Sequence, residues 1–312
     1  MKYYPEPHLG LEYRDVNAVI EDVFAEHGRG RVRMPPKVYV LLEGGDFRTM
    51  PAYVPFLHMA GVKIVNMHPD NRKRGLPTVM AVTVLLDPEN GRPQAVLNAT
   101  SLTDMRTGAA GGIACRHLAS GKEISLGVVG SGRQANAQIA AIAEEREIRE
   151  VRIWSREVAN AERLASMWRH LDARSDTLER VCGCDVLVTT TPSTSPIVKN
   201  EWIADGTHIN AIGADAPGKQ ELDPAILKRA LVFVDDIEQA VHSGEINVPI
   251  SRGLFRKEEI TGTIGQVILG FCGRRSKGEI TIFDSTGLAI QDIAIARLAM
   301  QKASGIDLPF PF

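Results

Sequence analysis

Nowhere does this chain of 312 residues run to 18 consecutive apolar side chains, and its opening stretch, MKYYPEPHLGLEYRD, has no apolar core behind a basic start. A membrane span and a secretory leader are therefore not expected, and a cytoplasmic location is. Charge of one sign is also lacking. Lys plus Arg number 36 against 38 Asp plus Glu, and the net −2 gives no electrostatic reason to expect nucleic acid or an anionic membrane as partner. The four cysteines, Cys115, Cys182, Cys184 and Cys272, form no paired C-x-x-C motif, so neither a zinc site nor a disulfide framework is indicated. Reduced thiols and no metal are the expectation. No Ser-His-Asp or Cys-His arrangement stands out, and there is no linker, repeat or low-complexity run.

What is present is an ordinary globular composition, 44% hydrophobic and 24% charged, in a chain longer than one core usually supports. Two domains are the natural reading. The organising stretch is Ile124 to Ala135, ISLGVVGSGRQA, in which apolar residues lead into Gly130, Gly132 and Ala135. This is the G-x-G-x-x-A form of a dinucleotide-binding turn. The first glycine allows the turn, the second leaves room for a pyrophosphate, and the alanine lets the helix pack closely on its strand. A helix follows as RQANAQIAAIAEE, then a second strand, VRIWS, at Val151 to Ser155. With Ile124 to Val129 and VRIWS, the segments CDVLVTTTP, THINAIG, ALVFVDD and EITIFDSTG make six β-like stretches, the strand number of a doubly wound parallel sheet.

Before this unit the pattern differs. Leu11 to His27 repeats Val16, Val19, Ile20, Val23 and Phe24 at helical spacing; VYVLL, Phe47 to Val54 and AGVKIVNMHP read as strands. PTVMAVTVLLDPENGRPQAVLNA reads as a hairpin turning at Asp87 to Arg92, and a helix from about Ser101 to Leu118 leads into the nucleotide motif. LAIQDIAIARLAMQKASG is an amphipathic closing helix, followed by the tail LPFPF.

Four cations, Lys37, Arg48, Lys63 and Arg106, lie in or beside apolar segments, where a buried charge needs an anionic partner. That partner is either a substrate carboxylate or a protein Asp or Glu. Asp215 follows the THINAIG strand at the carboxyl edge of the sheet, where it fits a general base, a ligand for a substrate amine, or a turn-forming residue. Thr189 to Thr191 and Asp284 end strands on the same edge, the threonines suiting the nicotinamide-ribose side. His242, Glu245 and Asn247 read as a surface turn rather than a metal site. The second strand ends in Ser155 and Arg156 instead of the Asp or Glu that binds the ribose of NAD; a hydroxyl and a guanidinium suit a 2′-phosphate, which points to NADP(H) and leaves NAD(H) open.

On MPPKVYV, FRTMPA, GVKIVNMHP, GLPTVMA, MRTGAAGGIA, DVLVTTTPS, THINAIGADAPGKQELD, GEINV and EITIFDSTGLAIQD the chain resembles the ornithine cyclodeaminase and mu-crystallin family, nearest its archaeal alanine dehydrogenases. The resemblance implies a homodimer in which residues 1–117 and 289–312 form an α+β substrate-binding and dimerisation domain around an inserted Rossmann domain, residues 118–288. It implies that Lys37, Lys63 and Arg106 occupy the carboxylate-binding positions, that Asp215 is the catalytic aspartate, and that Lys63 shares its proton transfers. The cofactor-binding positions are then Gly130, Gly132, Arg133, Gln134, Ser155, Arg156, Thr190, Thr191, Ile212 and Asp284. Ornithine cyclodeaminases carry a glutamate two residues before Met-Pro, where this chain has Arg48. An arginine there repels a second ammonium and favours a small monoamino or keto acid. The expected reaction is reversible oxidative deamination of L-alanine to pyruvate and ammonia with NAD(P). Ketimine or 1-pyrroline-2-carboxylate reduction, ornithine cyclodeamination and cofactor-dependent ligand binding without turnover are the alternatives. Ser155 departs from the acidic residue of the archaeal pattern, which bears on the cofactor.

Overall fold

The computed structural model describes residues 1–310, so the last two residues of the LPFPF tail lie outside it. The chain divides into two compact units, Met1–Arg106 with the segment from Leu288 onward, and Thr107–Gly287. The first boundary falls within the helix Thr100–Leu118 rather than at its end. Close packing is the reason. A Cβ on Gly108 would meet the Ala137 carbonyl oxygen at 2.4 Å, and Gln138 Nε2 donates to the Thr107 carbonyl at 2.8 Å. The small-residue half of the helix therefore belongs with the helix Arg133–Ala143.

The first unit is a seven-stranded mixed sheet. Its strands are β1 (Lys2–Tyr4), β2 (Val38–Leu42), β3 (Gly45–Val54), β4 (Met59–Met67), β5 (Val79–Leu86) and β6 (Pro93–Asn98), with Ile306–Asp307 as an edge strand beside β1. From β2 to β6 each strand is antiparallel to the next, and β1 pairs parallel with β6. Period-2 alternation sorts the side chains. Met50, Ala52, Val54, Met59, Leu85 and Leu97 are buried on one face, which the helix Ala289–Lys302 covers along β3, β4 and β5. That helix also packs on Tyr13–Gly28, which buries Val16, Ile20, Val23 and Phe24. Each such side chain contributes roughly 1.5–3 kcal/mol by leaving water. Arg48 and Lys63 share this buried face, because they sit in register with the core positions of β3 and β4. The opposite face carries Val62, Ile64, Val82 and Val84, only partly buried, and the edge strand β2 leaves Val38 and Val40 exposed.

The second unit is built on an all-parallel sheet of eight strands. In chain order they are β7 (Glu123–Val129), β8 (Glu147–Trp154), β9 (Ala173–Ser175), β10 (Val186–Thr189), then, past β11 (Thr194–Val198), β12 (His208–Ala211) and, past β13 (Gln220–Leu222), β14 (Ala230–Val234), β15 (Gly262–Thr263) and β16 (Ile280–Asp284). β11 and β13 form a separate two-stranded sheet. The main order is β15-β14-β16-β12-β10-β7-β8-β9, so connections leave β7 toward opposite edges and the switch point lies between β7 and β10. Neighbouring residues feed opposite cores. Leu187 packs with Val129, Ile209 and Ile282, whereas Val186 and Val188 pack with Leu126, Ile139 and Ile153. Burial on both faces explains why these strands read as continuous apolar runs.

All six sequence-read segments are in this sheet. The two additional strands, β9 and β15, are short edges of three and two residues. Because β9 precedes it, the strand ending in the threonines is the fourth in chain order rather than the third.

Candidate active site

Two groups of candidate residues are present, one in each unit. In the second unit, β7 leads into Gly130, whose φ of +117° is left-handed and whose missing Cβ would lie 2.4 Å from Thr190 Oγ1. Only glycine suits that position. Gly132 is the N-cap of Arg133–Ala143, with no side-chain cap and open space where a Cβ would stand. The eleven-residue helix thus starts at a glycine with open space where a side chain would stand, and Ala135 is fully buried in its first turn. This arrangement fits the pyrophosphate of a dinucleotide. Arg133 is exposed and Gln134 partly so at the helix start. Ser131 Oγ and Ser155 Oγ are 3.0 Å apart, joining the glycine loop to the end of β8, and Arg156 beside them is exposed.

Across the switch point the loops after β10 and β12 are pinned together. Thr190 donates from its amide and hydroxyl to the Val129 carbonyl at 2.9 and 3.1 Å, and the Ile212 amide donates to Thr189 O at 3.0 Å. Glu221, on β13, accepts from the Thr191 amide at 2.6 Å and the Gly213 amide at 3.0 Å. A Cβ on Gly213 would meet Glu221 Oε2 at 2.5 Å, so glycine is what lets the carboxylate in. Burial raises the Glu221 carboxyl to about 7 against the hydrogen bonds that favour its charge.

Asp284 sits at the expected strand end but faces inward. It is fully buried, accepts from the Glu245 and Ile246 amides at 3.0 and 3.2 Å, and is pushed up to about 8 by burial. Both its oxygens are used within the chain, so its geometry is that of a brace for the 244–246 turn rather than a cofactor ligand. Glu245 is likewise fully buried, accepting from the Glu221 and Leu222 amides. The surface-turn reading of this segment is thereby corrected: its carboxylate is an internal staple that compensates main-chain donors. Asp215 is partly exposed and accepts from Lys219 Nζ at 2.5 Å. The threonyl hydroxyl of Thr286 donates to buried Asp235, which also takes the Thr286 and Gly287 amides.

In the first unit two of the four cations, Lys63 and Arg106, converge on an acid the sequence reading did not single out. Asp292 Oδ1 accepts from Lys63 Nζ at 2.7 Å and from Arg106 Nε at 3.1 Å, and exposures of 1, 7 and 3% for Lys63, Arg106 and Asp292 make this an internal cluster. Burial, then the Arg106 charge, lowers Lys63 to about 7; Asp292 opposes the fall and Lys37 adds to it. Arg48 Nε and Nη2 form a fork on Asp46 at 2.9 and 3.3 Å, with the guanidinium 5.1 Å from the centre of the Tyr39 ring. The signal for Asp292 was legible in kind: one acid amid Ala and Ile in a helix needs a buried cation. Asp46 and Glu221 gave no such signal, since acids in turns are usually solvated.

The described thiols are all free, and burial raises Cys115 and Cys182 to about 12, which leaves them unreactive. His58, Asp87 and Glu89 bring three ligand atoms together, but Asp87 already accepts from the Glu89 and Asn90 nitrogens of its own turn. No helix among the described residues is long and apolar enough to cross a membrane.

Residues 8–306 match the model of the ornithine cyclodeaminase/mu-crystallin family. The chain belongs to this family. Among the relatives, an alanine dehydrogenase from Archaeoglobus fulgidus is 50% identical over 92% of this chain and 89% of its own length. A solved archaeal alanine dehydrogenase dimer with bound NAD superposes with a TM-score of 0.95 at 46% identity, covering 98% of this chain and 99% of that one. The Thermococcus litoralis Δ1-pyrroline-2-carboxylate reductase, solved with NADH and L-proline, has the same TM-score at 31% identity, covering 99% of this chain and 100% of that one. Within this family, then, the second unit is a Rossmann-like parallel fold and the first carries the cation cluster.

Proposed function

We propose that the chain is an NAD(P)-dependent amino-acid dehydrogenase that interconverts L-alanine with pyruvate and ammonia. The observation that carries the reading is the buried Lys63–Asp292–Arg106 cluster, an amine poised near neutrality beside a guanidinium. A carboxylate substrate needs the guanidinium, and an amine that gains and loses a proton near pH 7 suits imine chemistry. Kinship with an alanine dehydrogenase at 50% identity supports alanine among the small amino acids.

When bound, the nicotinamide exchanges hydride with the substrate carbon that carries nitrogen. The chain's own groups do the rest. Arg106, with Lys37 and Arg48, holds the carboxylate, and Arg48 does so with one edge already on Asp46. In the deaminating direction water adds to the imino carbon and ammonia leaves, so a proton must leave water and reach nitrogen. We assign that proton transfer to Lys63 and Asp215, as the family resemblance implies. The cradle residues Gly130, Gly132, Arg133 and Gln134 would hold the pyrophosphate, with Thr190, Thr191 and Ile212 on the nicotinamide side. Ser155 and Arg156, standing where the NAD pattern has an Asp or Glu, favour NADP(H).

A homodimer completes the reading. The solved archaeal relative is a dimer, and here Val62, Ile64, Val82 and Val84 with the exposed Val38 and Val40 give the sheet an apolar second face.

Nicotinamide absorbance tests the activity, with NADPH and NADH each paired with pyruvate plus ammonium and, separately, with 1-pyrroline-2-carboxylate. Oxidation with pyruvate that requires ammonium supports the proposal. Turnover of the cyclic imine alone would replace it with a reductase, and binding without turnover would argue against an enzyme.

A further inference from the structure

The mechanism above uses Lys63 and Arg106 but leaves their common partner idle. Asp292 lies in the first turn of Ala289–Lys302, where the helix dipole favours a negative charge, and reaches both cations through one oxygen. Its other oxygen, Oδ2, is buried and accepts from no described residue. A cluster shaped for stability would be arranged otherwise, because buried ions lose hydration and pack no better than apolar side chains of the same volume. A half-used buried carboxylate is the pattern of a functional constraint.

We propose that Asp292 is a positioning residue of the reaction: its Oδ1 fixes the Lys63 amine and the Arg106 guanidinium side by side, one to carry the proton and the other to hold the carboxylate. The inference rests on the amino-acid dehydrogenase reading. The charged groups facing Lys63 are Asp292 from the closing helix, Arg106 from Thr100–Leu118 and Lys37 from the segment before β2. Its neighbours across β4, Met50 and Thr83, carry no charge. Asp292 is thus the acid that sustains the Lys63 charge, acting against two cations and the loss of hydration.

The test follows the Lys63 side chain directly. Full-length protein labelled with ¹³C at the lysine Cε is titrated by NMR, the Lys63 signal being assigned by its loss in Lys63→Met. The same pH series is run for kcat and KM. In Asp292→Asn the Lys63 midpoint should fall by about one pH unit or more, a roughly tenfold loss of proton affinity. The matching limb of the kcat/KM profile should move with it. Asp292→Glu keeps the charge but displaces the oxygen, and should retain the midpoint while kcat drops tenfold or more. A Lys63 midpoint unmoved in Asp292→Asn would overturn the proposal, as would a profile that stays put while the midpoint shifts. If Asp292→Asn does not fold, full kcat in Asp292→Glu is the contradicting result. The midpoint is read without substrate, so a protein inactive on every amino and imino acid overturns the function proposed above while the titration still judges Asp292.

Discussion

Arg48 shows how a residue legible in the sequence changes meaning with its partner. From sequence it is a bare cation that repels diamino acids; in the fold its fork on Asp46 neutralises the pair, so net charge alone does not exclude a second ammonium. What remains is its geometry as a carboxylate ligand. Replacing Arg48 with Gln should cost about 1.5–3 kcal/mol of substrate binding, seen as a KM for pyruvate raised roughly 10- to 150-fold. Asp46→Asn, which releases the fork, should leave that KM unchanged or lower. If both variants lose stability alike with KM constant in each, Arg48 is only the structural partner of Asp46. Lys63 and Arg106 were recognisable because a cation inside an apolar stretch must be paired. Their acid lies 229 and 186 residues away in the chain, a separation that sequence spacing cannot bridge.

At the scale of elements, the strands of the parallel sheet were legible because burial on both faces leaves continuous apolar runs. β9 and β15 were not, because two or three residues at a sheet edge show no period. The strand-end carboxylate Asp284 reads differently in the fold for a physical reason: the edge that binds ligand also leaves main-chain amides to satisfy, and Asp284 serves those of Glu245 and Ile246. Glu221 joins the loops after β10 and β12, so Glu221→Gln, whose amide cannot accept at both Thr191 and Gly213, should cost about 1–3 kcal/mol and raise the KM for the cofactor. The sign of its pH dependence follows from burial. Its carboxyl titrates near 7 in the fold against 4.5 in the open chain, so its contribution to stability is full below about pH 4.5 and is lost as pH rises through about 7. Thermal melts across that window should fall with pH in the parent chain and fall less steeply in Glu221→Gln; parallel curves would show that Glu221 stays ionised.

For the whole molecule, the change of pattern at the glycine motif leads to an expectation of two domains and the resemblance to a returning helix; the chain divides into two compact units, the first of them rejoined from Leu288 onward. The boundary inside Thr100–Leu118 was not legible, since a continuous helix gives no signal of which half packs where. The apolar second face of the first sheet predicts a dimer: light scattering should give about twice the 34.0 kDa chain mass, and Ile64→Asp should shift it toward the monomer. A monomeric parent chain would remove that role from the face. The account as a whole stands on hydride passing between an amino acid carbon and the nicotinamide. L-Alanine deuterated at Cα, incubated with NADP or NAD, tests this most directly by mass spectrometry of the reduced cofactor. The account predicts one deuterium in the nicotinamide and unlabelled ammonia and pyruvate; reduced cofactor without deuterium, or no reduction from alanine with either nucleotide, would contradict it.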